Sequence, residues 1–222
     1  MTMKEAMHTR HMVRSYTNSP IPQTLVSQLQ ARIVRNNATY QLAMKLVTER
    51  TDAFQAVIKL VLAKGVRNYI ILAGQDSAGL EERLGYCGAD LMLYAQTLGL
   101  NTWWVGGTFR RKGVQKHISG DQKIAGIIAV GYGTTQGVPH KSKKPEDIST
   151  YRGVAPEWFK DGVDAVLLAP TALNKQAFSI TGDGSLVSMA CHNGIFSDID
   201  LGIGKYHFEL GAGTEHFHWD NL

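Results

Sequence analysis

Between Tyr69 and Tyr132 three apolar runs of strand type surround one helix, and that order constrains the fold more than any other feature of the chain. Tyr69-Ile70-Ile71-Leu72-Ala73 reads as a short buried strand closed by Gly74. Leu84, Cys87, Gly88, Leu91, Ala95 and Leu98 then recur at three- and four-residue spacing, which places them on one face of a helix, with Gly99 as its C-terminal stop. Thr102-Trp103-Trp104-Val105 and the run from Ile124 to Tyr132 follow as strands. Trp103 and Trp104 alternate, so one points to the core and the other can line a pocket. Outside this block, helical patterns cover about residues 23–35, 156–168 and 197–210, and residues 38–64 have helix-forming composition without Gly or Pro. Phe178-Ser179-Ile180 and Leu186-Val187-Ser188-Met189 form a hairpin pattern around Gly182-Asp183-Gly184. Strands and helices are mixed without regular βαβ alternation, so the expected class is α+β and not a doubly wound sheet.

The 222 residues suffice for one sizeable core or two small units sharing one. No stretch approaches the ~18 consecutive apolar residues of a membrane span, and residues 1–19 are polar, without the apolar centre of a signal peptide. A net charge of +4 suits an anionic ligand, and no long basic stripe calls for nucleic acid. Cys87 and Cys191 have neither metal-ligand spacing nor a disulfide framework, so a reducing, cytoplasmic setting is expected.

Two basic clusters can contact an anion. Arg10, His11 and Arg14 bring fixed cations close together, and a guanidinium pairs with phosphate through parallel hydrogen bonds. Lys141-Ser142-Lys143-Lys144 is the second cluster. A solvated basic face is the plain alternative for each; convergence on one phosphate would explain both. Gly106-Gly107, after an aromatic strand, lets the backbone approach a ligand closely, although a simple turn has the same composition. Gly131-x-Gly133 lacks the third glycine and the helix of a dinucleotide fingerprint. His216, His218 and Asp220 read as a solvated tail and not as a metal site, and Cys191-His192 lacks a triad partner. In Ala169-Pro170-Thr171-Ala172-Leu173-Asn174-Lys175-Gln176 a helix stops and presents small and amide side chains, suited to a flat polar ring.

Taken together these segments resemble the FMN-dependent nitroreductase family. Arg10 to Arg14, with Tyr16 and Pro20, is similar to its Arg-x-Ser-x-Arg/Lys opening. Gly99-Leu100-Asn101-Thr102-Trp103-Trp104-Val105-Gly106-Gly107 resembles its Gly-Leu-Gly-Thr-x-Trp-x-Gly-Gly-Phe pattern, residues 141–145 its late basic motif, and residues 169–176 its Ala-Pro-Ser-x-x-Asn-x-Gln-Pro motif. Two departures stand out: Met12 replaces the motif serine, and the Ala-Pro-Ser-like motif comes far later in the chain than the family places it. The resemblance implies a mixed, mostly antiparallel sheet flanked by helices. It also implies that family members are homodimers with FMN at the interface, one subunit supplying the Arg motif and the Gly-Gly strand and the other the Ala-Pro-Ser-x-x-Asn motif. The late motif therefore suggests a nitroreductase-like unit over residues 1–150 and a truncated second copy over 151–222, fused in one chain. A loose repetition between Asp90-Leu91 and Asp200-Leu201 agrees. On this expectation the chain is a monomer that is an internal pseudo-dimer (a homodimer stays open) and holds one FMN. Arg10, His11, Lys141 and Lys143 would hold the phosphate, Arg14 the pyrimidine edge, Gly106 and Gly107 the ring nitrogen N5, and Pro170, Thr171, Ala172 and Asn174 the ring face. NAD(P)H would reduce the flavin, and a nitroaromatic or quinone-like acceptor would reoxidise it; no side chain is required as acid or base. A flavin carrier or sensor, and a relative that binds no cofactor, are the alternatives.

Overall fold

The computed structural model describes residues 1–192 and 194–220. The first sheet contains β1 (Lys45–Val47), β2 (Tyr69–Gly74), β3 (Asn101–Val105) and β4 (Lys123–Gly131), in the order β1-β2-β4-β3, with every pairing antiparallel. The unbroken apolar run of β2 is explained by burial on both faces. Ile70 and Leu72 point into a core shared with the helix α4 (Leu80–Thr97), while Tyr69, Ile71 and Ala73 point into a second core under Phe54 and Trp103. Trp103 is the core tryptophan, stacked on Phe54, and Trp104 faces Gly88 of α4.

The last third of the chain builds a second sheet. It contains β5 (Ser149–Tyr151), β6 (Phe178–Asp183), β7 (Leu186–Cys191) and β8 (His218–Trp219), in that order. The β6–β7 hairpin is antiparallel and both edges are parallel. Phe178 and Ile180 alternate inward against α6 (Glu157–Val166) and α7 (Ser197–Ala212), while Ser179, Thr181 and Asp183 face water.

Helices α4 and α7 cross at reciprocal glycines. A Cβ on Gly85 would land on the carbonyl of Ile199, and a Cβ on Gly202 would land on the carbonyl of Glu82. One displacement along the chain relates Gly85 to Gly202 and Glu82 to Ile199. The same displacement relates the first residues of the two helices, Leu80 and Ser197, and both ends of β2 and β7, Tyr69 with Leu186 and Gly74 with Cys191. This register sets Asp90 opposite His207, not Asp200 as the loose sequence repetition had it. Asp90 is buried and accepts hydrogen bonds from Asn36 (2.8 Å), Tyr206 (2.8 Å) and Arg32, tying α2 (Gln23–Tyr40) to both central helices.

Residues 38–64 are not one helical stretch. The helix α2 runs to Tyr40 and stops at Gln41, which has φ of 54°. The side chain of Asn37 then accepts from the Met44 N–H (3.0 Å) and donates to its carbonyl (2.9 Å), turning the chain into β1; only α3 (Ala56–Val61) is helical beyond it. The polar N-terminus carries α1 (Met3–Thr9), closed by a capping box between Thr2 and Glu5. The short α5 (Arg111–Gln115) follows β3. No helix among the described residues is long and apolar enough to cross a membrane.

Candidate functional site

Arg10 ends α1, and its backbone N–H bonds Ala6 (2.8 Å). Its side chain is buried, and its Nη1 atom has no hydrogen-bond partner. Burial lowers the guanidinium to about 10, so it stays charged at neutral pH. A buried cation with an unused donor is the arrangement an anion completes, since leaving that donor unmet is costly. His11 follows beneath Gly137, whose added Cβ would come within 2.8 Å of both the His11 Cβ and the Met12 carbonyl oxygen. Burial, then Arg10 and His140, push the His11 imidazole below its ordinary range. Met12 forms a parallel bridge to Thr102 on the edge strand β3, and the Val13 N–H donates to the Thr102 carbonyl (3.2 Å). The Met12 side chain is exposed. Arg14 is exposed too, and its guanidinium lies 5.3 Å from the centre of the Trp103 ring.

The second basic cluster is stitched to the end of α6. The Leu167 carbonyl lies 2.9 Å from a ring nitrogen of His140 and accepts from Ser142 Oγ (3.0 Å) and Gln176 Nε2 (2.8 Å). The Lys143 N–H donates to Gln176 Oε1 (2.7 Å), Lys143 Nζ donates to the Gln176 carbonyl (2.9 Å), and Asn174 Nδ2 donates to the Lys141 carbonyl (2.6 Å). Residues 140–143 and 167–176 thus form one unit. Asn174 and Lys143 spend these polar atoms on backbone, while Lys141 is exposed. Thr171 accepts the Gln176 N–H (3.1 Å), and the Ala172 N–H donates to Asp200 in the first turn of α7.

Gly106 and Gly107 lie at the other end of β3 from Thr102. Gly106 faces Phe196, whose ring atoms an added Cβ would meet at 2.9 Å, whereas Gly107 has open space beside it. The two glycines, Ile195, Phe196 and Ile199 line a cleft of about 530 Å³ that also includes Glu81, Arg111 and Lys123. The structure therefore joins Arg10 and His11 to the 137–143 loop, and that loop to residues 170–176. Gly106 and Gly107 are linked to this unit through the start of α7. Arg14 sits apart from it, over Trp103.

Three neighbours escaped the sequence reading. Asp200 is a buried carboxylate within the apolar pattern of Ile199 and Ile203. His207 is buried with Nδ1 2.8 Å from the Ile203 carbonyl and Nε2 without a partner. Phe196 precedes α7 and closes over Gly106. A polar residue on a helix's inward face was the available signal for the first two. The third depends on a contact between distant segments. His216 stacks on Trp158, and His218 belongs to β8.

The family model described as "Putative TM nitroreductase" matches residues 2–212. No curated protein matches the chain. Among solved structures, a "putative nitroreductase" from Thermotoga maritima is 20% identical, with 95% of this chain and 83% of that one covered and a TM-score of 0.70. A "putative nitroreductase in complex with FMN" from Exiguobacterium sibiricum has 14% identity and a TM-score of 0.52, and 66% of this chain covers 95% of it. A "Putative NADH dehydrogenase/NAD(P)H nitroreductase" from Bacteroides thetaiotaomicron is 18% identical over the same shares, also with a TM-score of 0.52. At these identities the likeness is one of fold.

Proposed function

The chain belongs to the nitroreductase family of the model that matches it, and on that premise we propose that it is an FMN-dependent oxidoreductase using NAD(P)H to reduce nitroaromatic or quinone-like acceptors. The observation that carries the reading is the buried Arg10 with an unpartnered Nη1, next to His11 and the 137–143 loop. These residues fit a phosphate group. Bound FMN would supply the electron-transfer chemistry. Arg10 and His11 would neutralise the phosphate, with Lys141 at the exposed rim. Gly106 and Gly107 would offer backbone N–H groups, and Pro170, Thr171, Ala172 and Asn174 would form the opposing wall. Phe196 would exclude water above Gly106. No side chain is assigned a proton-transfer role. NAD(P)H and the acceptor would occupy the cleft in turn.

Residues 151–222 are proposed as the truncated second copy that supplies the Pro170–Asn174 wall to the unit of residues 1–150. Three features support this. The helix–strand–strand–helix order of α2, β1, β2 and α4 (with α3 interposed) recurs in α6, β6, β7 and α7. The glycine contacts of α4 and α7 are reciprocal, as in an isologous dimer interface. The Exiguobacterium structure is 95% covered by 66% of this chain, leaving a third of this chain without a counterpart there. One FMN per chain and a functional monomer are the consequences.

A flavin carrier is the second reading, favoured by the packing of Phe196 against Gly106. Titration of the protein into FMN, followed by flavin fluorescence, gives stoichiometry and affinity. Bleaching of the ~450 nm flavin band by NADPH separates enzyme from carrier. Two FMN per chain would contradict the fused-copy reading. Arg10→Ala should weaken FMN binding by ~1.5–3 kcal/mol, roughly ten- to a hundredfold; unchanged affinity would remove Arg10 from the site.

A further inference from the structure

Residues 171–176 hold a backbone that their side chains oppose. Leu173, Asn174 and Gln176 have φ of 53°, 54° and 45°, the left-handed region that a Cβ disfavours. Leu173 is 90% exposed, so no burial of its side chain compensates. Such a turn persists only where its surroundings over-determine it, and these conformations concentrate at ligand clamps. Gln176 secures the C-terminal end through Leu167 and Lys143. The N-terminal end is held by Asp200, whose two carboxylate oxygens accept the Ala172 N–H at 3.0 and 3.1 Å. Four residues earlier, Phe196 lies against Gly106. The start of α7 thus contacts both the Gly106 turn and the 171–176 segment.

We propose that Asp200 is a positioning residue that sets the Pro170–Asn174 wall at its working distance from Gly106 and Gly107 by holding the Ala172 N–H. This rests on the flavin reading above. The charged form of Asp200 is the stronger acceptor. Burial raises its carboxyl to about 6, against the Ala172 N–H and Lys175, which favour the charge; Cys191 is the other titratable group facing it, itself influenced by Asp198 and Lys143. The grip on Ala172 should therefore loosen as pH falls through about 6.

The test compares wild type, Asp200→Asn and the control Asp198→Asn, whose native side chain is exposed on the same turn. Amide hydrogen exchange of the 168–178 peptide, without added flavin, reads the anchor directly. FMN fluorescence titrations at pH 7.5 and 5.5 read its effect on the cofactor. Asp200→Asn should speed exchange at Ala172 and raise the FMN Kd by about tenfold at pH 7.5, as expected for losing a charge-assisted bond. It should also reduce the change in Kd between the two pH values relative to wild type. FMN phosphate itself titrates in this range, so the difference between proteins is the readout. Asp198→Asn should behave as wild type. If Asp200→Asn matches wild type in exchange and in Kd, the inference is overturned and the flavin reading stands. If wild type itself takes up no FMN, the flavin reading falls and the role of Asp200 towards a cofactor falls with it, whatever the exchange shows. Should Asp200→Asn fail to fold, Asp200→Glu serves instead: it keeps the charge but displaces it, and an unshifted Kd would equally overturn the proposal.

Discussion

Gly202→Ala tests whether the α4–α7 crossing is as close as the structure shows. Helix propensity alone predicts a gain of ~1 kcal/mol from this change. The packing predicts the reverse. The new Cβ would fall on the Glu82 carbonyl and within 2.8 Å of its carbonyl carbon and 2.7 Å of the Tyr86 nitrogen, all backbone atoms that cannot rotate away. The helices must move apart, and every residue along the seam loses contact. Overpacking of this kind costs ~1–3 kcal/mol, more against backbone. Taking ~3 kcal/mol for the clash and subtracting the propensity gain leaves about 2 kcal/mol. At ~2–4 °C per kcal/mol for a chain of this size, Tm should fall by roughly 4–8 °C. Gly85→Ala should do the same through the Ile199 carbonyl. The double variant should cost less than the sum, because helices already separated by one methyl group accommodate the second more easily. Calorimetry or far-UV melting on the three variants decides it. A Tm unchanged or raised in Gly202→Ala, or strict additivity, would refute the reciprocal crossing.

Between pH 6.5 and 4 two buried groups push wild-type stability in opposite directions. Burial lowers His207 from 6.5 to about 4, so the folded state binds fewer protons and acidification removes about 3 kcal/mol. Burial raises Asp200 from 3.8 to about 6, so the folded state binds more protons and acidification restores about 3 kcal/mol. Urea midpoints at pH 7, 6 and 5 should therefore fall steeply in Asp200→Asn; a wild-type slope in that variant would exclude the opposition. Leu173→Gly should relieve the left-handed cost of ~1 kcal/mol without loss of burial, raising Tm by about 2–4 °C, and a lowered Tm would show that the exposed leucine has a partner.

Much of the core was legible along the chain. The helix through Leu84 and Leu98, the buried run of β2, the β6–β7 hairpin and the motif residues around Arg10, Gly106 and Pro170 all announce themselves by local spacing. Such patterns report which face of a segment is apolar and where a backbone needs glycine or proline. The misreading of residues 38–64 has a physical cause. A three-residue strand such as β1 has too little length for a period, and it forms because β2 offers an edge and the Asn37 side chain turns the chain. What only tertiary structure decided is what meets what: that Arg10 is buried with a donor to spare, that Asn174 and Lys143 bond backbone, that Asp200 grips Ala172 and that α4 and α7 touch through paired glycines. Each depends on segments distant in sequence being packed at contact distance. Single-chain periodicity carries no information about that, because it records a segment's preference for the interior and not the identity of its neighbour.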